Sequence, residues 1–407
     1  MPRKTGKVPS YCRHRHSGQA VVRIDRVDNY LGTYGSPQSH RLYERLIAEW
    51  RVRRLEGTPA PNKSRPPSPS LTLEQVVHQY RAFAQTYYVK DGKRTKEYVC
   101  MKYALRPLRS LYGDSNVADF GPLALKAVRQ HMVDADLSRG VINNRVNRIK
   151  RFFKWAASEE LVPAAVYQAV QSLSALRFGR TEARETEPVR PIDDEWVEAV
   201  LPSLSPQVAA MVRLQRICGM RPCEVVLMRA CDIDMSGSVW IYEPFDHKNR
   251  WRGHRRLIPL GPRSQEILKP FLKLQTESFF FSPREAEAWR NEKRRNERTT
   301  PMTPSQAKRK PKKSPRRAKR ERYDTDSYRR AITYAIKMAN RKREEKEIPL
   351  IPDWYPLQLR HSRATEVRKG FGLEAAQVAM GHAHANVTEI YAERNLDLAI
   401  QIAQKIG

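Results

Sequence analysis

The sequence predicts a mixed α+β fold that is mainly helical and is divided into several domains. The chain has 407 residues, more than a single hydrophobic core usually serves. From residue 71 onwards, apolar residues recur mostly at helical spacing, and only short stretches alternate as strands do. Two stretches without apolar periodicity, 56–70 and 177–192, are typical of linkers and mark the domain boundaries.

Residues 1–55 are predicted to form a small module of a β-sheet and one helix. The stretch 19–34 reads as two short strands around a polar turn, and Ser36-Pro37 supplies an N-cap and a first-turn proline for a helix. Nearby arginines could dock on DNA phosphates: Arg13, Arg15, Arg23 and Arg26. The alternative is a structural appendage with solvated charges.

Residues 71–176 are predicted to form a helical domain. Thr72 can cap the first helix, the second covers roughly 93–111, and the third follows Gly121-Pro122. The fourth has a broad apolar face that includes Val146, Phe152 and Phe153. Its other face carries amide and cationic side chains that can reach phosphates and base edges: Asn143, Asn144, Arg145, Asn147, Arg148, Lys150, Arg151 and Lys154. We expect this face to bind DNA, with a solvated surface as the alternative.

The charge of the chain favours a polyanionic partner. The formal net charge is +31 and the sequence pI is about 10.2, and the positive charge is spread over the whole length, which favours nucleic acid. No signal peptide or membrane span of about 18 apolar residues is evident, so we expect a cytoplasmic protein associated with the nucleoid. The five cysteines form no CxxC pair, which indicates reduced thiols.

Residues 193–407 are predicted to form a further domain that begins with helices. Gly219 is expected to end the helix 205–218, and Pro222 to begin the next one. Arg221 then lies at a helix N-terminus, where backbone N–H groups favour an anion. Glu224, one turn later, could orient its guanidinium.

Two later features of this domain are a hairpin and a basic insertion. The strands 239–243 and 255–260 flank a turn with Lys248, which could swing towards a ligand or simply face water. Residues 284–322 contain 16 Lys and Arg against 5 Asp and Glu. We expect this insertion to be disordered in the free protein and to add sequence-independent affinity for DNA.

The stretch 359–391 completes a possible reaction site. It carries Arg360, His382 and Tyr391, separated by segments of helical pattern. With Arg221 and Lys248 these residues suit attack of a tyrosine on a phosphodiester: arginine forks match the nonbridging oxygens, and lysine can protonate the leaving oxygen. Such chemistry requires no metal and no cofactor.

In these residues the chain resembles the tyrosine recombinases, or phage-type integrases. The match lies in GMRPCEVVLMR around Arg221, the hairpin Lys248, LRHSRAT around Arg360, MGH at His382, and Tyr391. The resemblance covers roughly 70–407 and implies a helical core-binding domain, a catalytic domain of helices with a small antiparallel sheet, and an arm-type N-terminal module. It implies a 3′-phosphotyrosyl intermediate, a homotetramer on synapsed double-stranded DNA, a monomer when the protein is free, and a C-terminal helix, LDLAIQIAQKI, that docks on a neighbour. Accessory DNA-bending proteins are possible partners.

The sequence departs from the family at Leu357. The family usually has histidine three residues before the second arginine, and leucine can neither accept a proton nor donate to a phosphate. Loss of a general base costs about 10²- to 10⁴-fold. One alternative is therefore an impaired integrase that acts as a DNA-binding protein. A type IB topoisomerase-like activity is another, although the arm-like N-terminus favours recombination.

Overall fold

The computed structural model describes residues 8–25, 27–56, 71–90, 92–247, 250, 253–308, 320–381 and 388, without the side chains of 53–56 and 307. These residues are mainly helical with small antiparallel sheets, which confirms the predicted fold class. The chain divides into two compact units, Met1–Glu187 and Pro188–Gly407, and each is described by itself. The finer predicted division into domains and linkers stays a prediction.

The first unit consists of a small sheet, a helix bundle and a short hairpin. The elements are β1 Tyr11–Arg13, β2 Gln19–Ile24, β3 Val27–Thr33, α1 Pro37–Glu56, α2 Leu73–Tyr87, β4 Val89–Lys90, β5 Lys93–Arg94, α3 Lys96–Tyr112, α4 Pro122–Asp134, α5 Arg139–Ser158 and α6 Ala164–Gln171. Strands β1–β2–β3 form an antiparallel sheet in that order, and β4 pairs with β5. The β4–β5 hairpin occupies the start of the predicted second helix, which therefore begins later, at Lys96.

Helix α1 packs on both the sheet and the helix bundle. Its Ile47 joins Val22 and Leu31 of the sheet in one cluster, while Ala48 and Val52 are buried with the bundle core. The hydroxyl of Tyr112 on α3 donates to Glu49 Oε1 at 2.8 Å, and Arg45 Nη1 donates to Ser115 Oγ at 2.9 Å. The N-terminal module and the helices thus belong to one packed unit.

The bundle core is built on α5. Phe152 and Phe153 are fully buried, and Phe152 meets the ring of Tyr80 from α2 edge-on with centroids 5.4 Å apart. Helix α2 begins with a capping box, in which the Thr72 hydroxyl accepts from the Gln75 N–H and the Gln75 side chain accepts from the Thr72 N–H. The predicted cap at Thr72 is confirmed.

The second unit packs around its buried helix α8, Pro206–Cys218. Its elements are α7 Asp194–Val200, α8 Pro206–Cys218, α9 Pro222–Val225, β6 Ile233–Asp234, β7 Trp240–Tyr242, β8 Ile258–Leu260, α10 Pro262–Leu268, α11 Pro283–Asn296, α12 Pro304–Ala307, α13 Thr325–Glu344 and α14 Pro356–Met380. Helix α8 buries Met211, Val212 and Leu214 completely. The predicted hairpin is present as β7–β8, and β6 adds a third antiparallel strand that the sequence did not predict.

The basic insertion was predicted to be disordered, but its first part is a helix. Helix α11 covers Pro283–Asn296, because the Ser282 hydroxyl caps its first turn and Ala286 is fully buried against the unit's core. Lys273 Nζ also forms an ion pair with Glu285 at 2.5 Å. Part of the remaining insertion, 309–319, lies outside the described residues.

None of the helices in the described ranges combines the length and the apolar content that a bilayer crossing requires.

Truncation of Phe152 tests the core of the helix bundle. We expect Phe152→Ala to lower the free energy of unfolding by about 3–5 kcal/mol, because it removes a buried ring and leaves a cavity. Hydrogen exchange of the α5 amides would measure the loss in this unit alone. Lys154→Ala, on the exposed face of the same helix, should change it by less than about 0.5 kcal/mol. Equal effects of the two variants would contradict this packing.

Candidate active site

The end of helix α8 is shaped by close packing against the end of α14. Gly219 terminates α8 in the left-handed conformation, with φ of 63°. The backbone conformation favours glycine, and a Cβ atom there would lie 2.4 Å from Cε of Met380, so the Met380 side chain would have to shift. The predicted helix end at Gly219 is confirmed, and the chain then passes directly to Arg221.

Arg221 is held by Glu224, as the sequence predicted. It occupies the N-cap position of α9, where its N–H donates to Glu224 Oε2 at 2.6 Å and its Nη1 donates to Oε1 at 2.7 Å. The Glu224 side chain is fully buried, whereas that of Arg221 is 18 % exposed. The carboxylate therefore fixes Arg221 from the inside, and part of the Arg221 side chain remains exposed.

Arg360 is a completely buried cation at the centre of the site. Its Nη1 donates to the carbonyl oxygen of Gly219 at 2.5 Å, and its Nη2 donates to that of Met380 at 2.8 Å. These carbonyls belong to the ends of α8 and α14, where the helical hydrogen bonds stop. Arg360 thus joins both helix ends and lies beside the segment that carries Arg221.

Arg256 belongs to the same cluster, although the sequence did not single it out. It is 5 % exposed, and its Nε lies 3.6 Å from Glu224 Oε1. The residues Arg256, Ile258 and Leu260 alternate along one strand direction, and all three are buried, whereas Leu257 is exposed. This period of two was visible in the sequence RRLIPL and could have placed Arg256 on the inner face.

The electrostatics of the cluster keep Glu224 ionised. Burial alone would raise the pKa of the Glu224 carboxyl, but the guanidinium groups of Arg256, Arg221 and Arg360 and the Arg221 N–H lower it below its ordinary value. His247, a second residue that the sequence analysis missed, interacts electrostatically with Glu224 and Arg221. Burial lowers the pKa of its imidazole.

The remaining predicted reaction residues are only partly described. Lys248, His382 and Tyr391 lie outside the described residues. Leu357 is half-buried in the first turn of α14, one turn before Arg360. His361 is 4 % exposed and lies in the interior of this unit. The described site therefore brings together Arg221 and Arg360.

The predicted DNA-binding face of α5 is largely engaged within the first unit. Arg148 forms two hydrogen bonds with Glu97 at 2.9 and 2.8 Å, and Arg151 also pairs with Glu97. Asn143 exchanges hydrogen bonds with the backbone of Leu176, and Lys150 donates to backbone carbonyls at the end of α6 and just after it.

Four of the eight predicted residues are exposed to solvent. Asn144, Asn147, Arg151 and Lys154 are exposed. Arg145 is partly buried, and burial together with the charge of Arg148 lowers the pKa of its guanidinium. The structure thus narrows the part of this face that is available to DNA.

Helix α3 presents a basic surface that the sequence analysis did not identify. Its exposed residues recur at helical spacing and are free of acidic groups: Lys96, Val99, Lys102, Tyr103 and Arg106. Several of them line a concavity of about 320 Å³ together with Arg81 and Arg109. Tyr103 is 55 % exposed, so an aromatic ring lies among these cations. We call this set the α3 surface.

Among the described residues, no group of three or more His, Cys, Asp or Glu side chains is placed to hold a metal ion.

Comparison with known proteins supports the resemblance seen in the sequence. Residues 197–397 match the model of the phage integrase family. The fold is similar to a lambda integrase dimer bound to a COC′ core site, with 14 % identity, a TM-score of 0.55, and coverage of 97 % of this chain and 96 % of that one. It is also similar to a Tn1549 transposon integrase in complex with transposon right end DNA, with 15 % identity, a TM-score of 0.53, and coverage of 83 % and 99 %.

A lambda integrase tetramer bound to a Holliday junction is a third similar structure, with 13 % identity, a TM-score of 0.56, and coverage of 96 % of this chain and 97 % of that one. A search of curated proteins by sequence found no match. The resemblance predicted from the residues around Arg221 and Arg360 is confirmed, because residues 197–397 match the phage integrase family.

Proposed function

We propose that this protein is a site-specific DNA recombinase that cleaves and rejoins DNA strands through a 3′-phosphotyrosyl intermediate on Tyr391. The observation that carries the proposal is the fixed cluster of Arg221 and Arg360. Arg360 is bonded to the backbone on both sides, and Arg221 is clamped by Glu224. Cations held in advance stabilise developing charge without reorganisation during the reaction.

The charge of the cluster suits a phosphodiester. Within the described part of the site, three guanidinium groups, those of Arg221, Arg256 and Arg360, surround one carboxylate, that of Glu224. An excess of buried positive charge is costly unless an anion compensates it. A phosphodiester supplies that charge, and its two nonbridging oxygens match the planar donors of arginine.

The reaction then follows as an exchange of phosphate esters. Tyr391 gives its phenolic proton to water and attacks the phosphorus, its oxygen becomes bonded to the 3′ phosphate, and the bond to the 5′ oxygen breaks. Lys248 protonates the leaving 5′ oxygen, while Arg221, Arg360 and His382 stabilise the charge on the phosphate. Return attack by a 5′ hydroxyl of a partner duplex reverses these steps and rejoins the strands. Each step replaces one phosphate ester bond with another, so the exchange consumes no cofactor.

The partners follow from the same proposal. The similar lambda structures are a dimer on a core site and a tetramer on a Holliday junction, which supports double-stranded DNA and a homotetramer as partners here. Exposed cations on α5 and the α3 surface are proposed to contact DNA outside the reaction site. The basic insertion would add affinity without sequence preference.

A second candidate function is DNA binding without efficient cleavage. Leu357 lies one turn before Arg360 on α14, so the family's usual histidine is replaced at a position next to the site. Leucine cannot exchange a proton there. In this case the arginine cluster would bind the phosphate while the tyrosine stays protonated, because its ordinary pKa is near 10.

Tyr391→Phe tests the proposed nucleophile. Incubation of the wild type with element-end DNA nicked near the crossover should give a DNA–protein band resistant to denaturant, because the nick lets the 5′ fragment escape. The variant should give no band and retain DNA binding. Tyr334→Phe, which alters an exposed tyrosine of α13, is the matched control and should retain the band. A band in Tyr391→Phe would exclude this nucleophile.

Leu357→His tests whether a missing proton acceptor limits the reaction. The rate of covalent complex formation should rise, by up to about 10²-fold, because imidazole can take the tyrosine proton near neutral pH. Leu357→Gln, which is polar but does not titrate, should give no such rise. An unchanged rate in Leu357→His would indicate that another group near Arg221, for instance His247, already accepts the proton.

The α3 surface can be tested through the salt dependence of binding. Lys102→Ala combined with Arg106→Ala should weaken DNA binding and reduce the slope of log K against log salt by about 2, one for each lost phosphate contact. Tyr103→Ala should weaken binding with little change in slope, since it carries no charge. Fluorescence titrations at several salt concentrations would measure both. An unchanged slope in the double variant would place the DNA elsewhere.

A further inference from the structure

Arg256 has an environment that its own contacts do not explain. Its Nε and Nη2 atoms are buried and make no hydrogen bond within the described residues. Among the described residues, Nη1 donates to the carbonyl oxygen of Leu257 at 3.5 Å, and Nε faces Glu224 Oε1 at 3.6 Å, beyond a normal hydrogen bond. Burial lowers the pKa of its guanidinium; the charge of Glu224 opposes this shift, the charge of Arg221 adds to it, and the arginine remains protonated. A buried charge with few hydrogen bonds is costly, which points to a role beyond packing.

Glu224 is the group through which Arg256 can act. The two oxygens of this carboxylate are both used by Arg221, one by its N–H and one by its Nη1. The carboxylate is fully buried, and Arg256 is the other arginine that forms an ion pair with it. The charge of Arg256 is little screened because its side chain is 6 % exposed, against 18 % for Arg221.

A second contact connects Arg256 with the end of α14. A Cβ atom at Gly381 would lie 2.2 Å from Nη1 of Arg256 and 2.9 Å from its Cζ. The guanidinium therefore packs directly on the backbone of Gly381, which has φ of 63° and precedes His382 in the sequence. Arg360 reaches the same turn through the Met380 carbonyl. Two arginines thus fix the end of this helix from different elements.

We infer that Arg256 is a positioning residue for DNA cleavage: it holds Glu224 in the geometry that orients Arg221, and it fixes the backbone at Gly381. The inference rests on the proposed function, because cleavage is the activity that it supports. It assigns to β8 and the residues before it a role in aligning the site, in addition to that expected for Lys248 on the same hairpin.

If Arg256 keeps Glu224 ionised, the rate of DNA cleavage should depend on pH more strongly when Arg256 is removed. Among the described residues, the titratable and charged groups that interact with Glu224 include Arg221, Cys223, Tyr242, His247, Arg256 and Arg360. In the wild type the pKa of Glu224 is lowered, so its carboxylate persists as the pH falls. Without the positive charge of Arg256, the effect of burial on the Glu224 carboxyl is opposed less strongly, so the pKa of this carboxyl rises. Protonation at mildly acidic pH would then remove an acceptor from Arg221.

Arg256→Met and Arg256→Lys, tested in the full chain, separate positioning from packing. Covalent complex formation on nicked DNA would be followed from pH 8 to 5.5, with DNA binding measured in parallel. We expect Arg256→Met to cleave about 10²-fold more slowly, since small misplacements of a reacting group have effects of that size, and to slow further as the pH falls. Arg256→Lys should restore part of the rate, because its charge still opposes protonation of Glu224.

Two further variants serve as controls. Arg255→Met alters the neighbouring arginine, whose side chain is 73 % exposed and pairs with Glu243, and should behave as the wild type. Glu224→Gln combined with Arg256→Met removes the titrating group, so the additional loss at low pH should disappear. An NMR titration of the Glu224 carboxyl, assigned with Glu224→Gln, should give a higher pKa in Arg256→Met than in the wild type.

The outcomes distinguish this inference from the proposed function. A wild-type rate and pH profile in Arg256→Met would overturn the positioning role, as would a loss of rate that is equal at every pH and is not relieved by lysine. Failure of the wild type to form the covalent complex would overturn the proposed function instead. The NMR titration would then decide the inference alone: an unchanged pKa of Glu224 would contradict it.

Discussion

The geometry of the site depends on the hydrogen bonds that the buried guanidinium of Arg360 donates to two backbone carbonyls. A cation without exposure to water is tolerated only if its donors meet acceptors, and here the acceptors are carbonyls at the ends of two helices. Those helix ends must therefore lie close together. Their proximity explains why a Cβ atom at Gly219 would meet the end of the Met380 side chain.

The second constraint is the carboxylate of Glu224, which allows several arginines to share a small volume. Like charges at short distance repel strongly in a medium of low polarity. Glu224 offsets this repulsion for Arg221 and Arg256, and the lowered pKa of its carboxyl is the measure of that attraction. Breaking such a buried arrangement by removal of one partner typically costs about 3–5 kcal/mol. The same residue therefore supports the stability of the fold and the alignment of the reaction site.

The ends of several helices were predictable from sequence because the signals that mark them are local. Thr72 with Gln75, Gly219 and Pro222 act on the backbone within four residues, so the helix ends that they mark were predicted correctly. Nonlocal partners were not predictable in this way. Arg148 and Arg151 looked available for DNA, but Glu97 meets them from a helix about fifty positions earlier. The helix at Pro283–Asn296 was missed because its stabilising burial at Ala286 is hidden among charges.

The distribution of positive charge suggests a division of labour within the proposed function. The net charge of +31 and the exposed cations of the α3 surface attract DNA at long range, and salt weakens such attraction because the charges are exposed to counterions. The cations around Glu224 are enclosed by protein and fixed by short contacts, so they are screened much less. Each arginine of the enclosed cluster is also tied to a particular carbonyl or carboxylate. The resemblance to the family therefore rests on the sequence order of a few residues and not on the large excess of Lys and Arg.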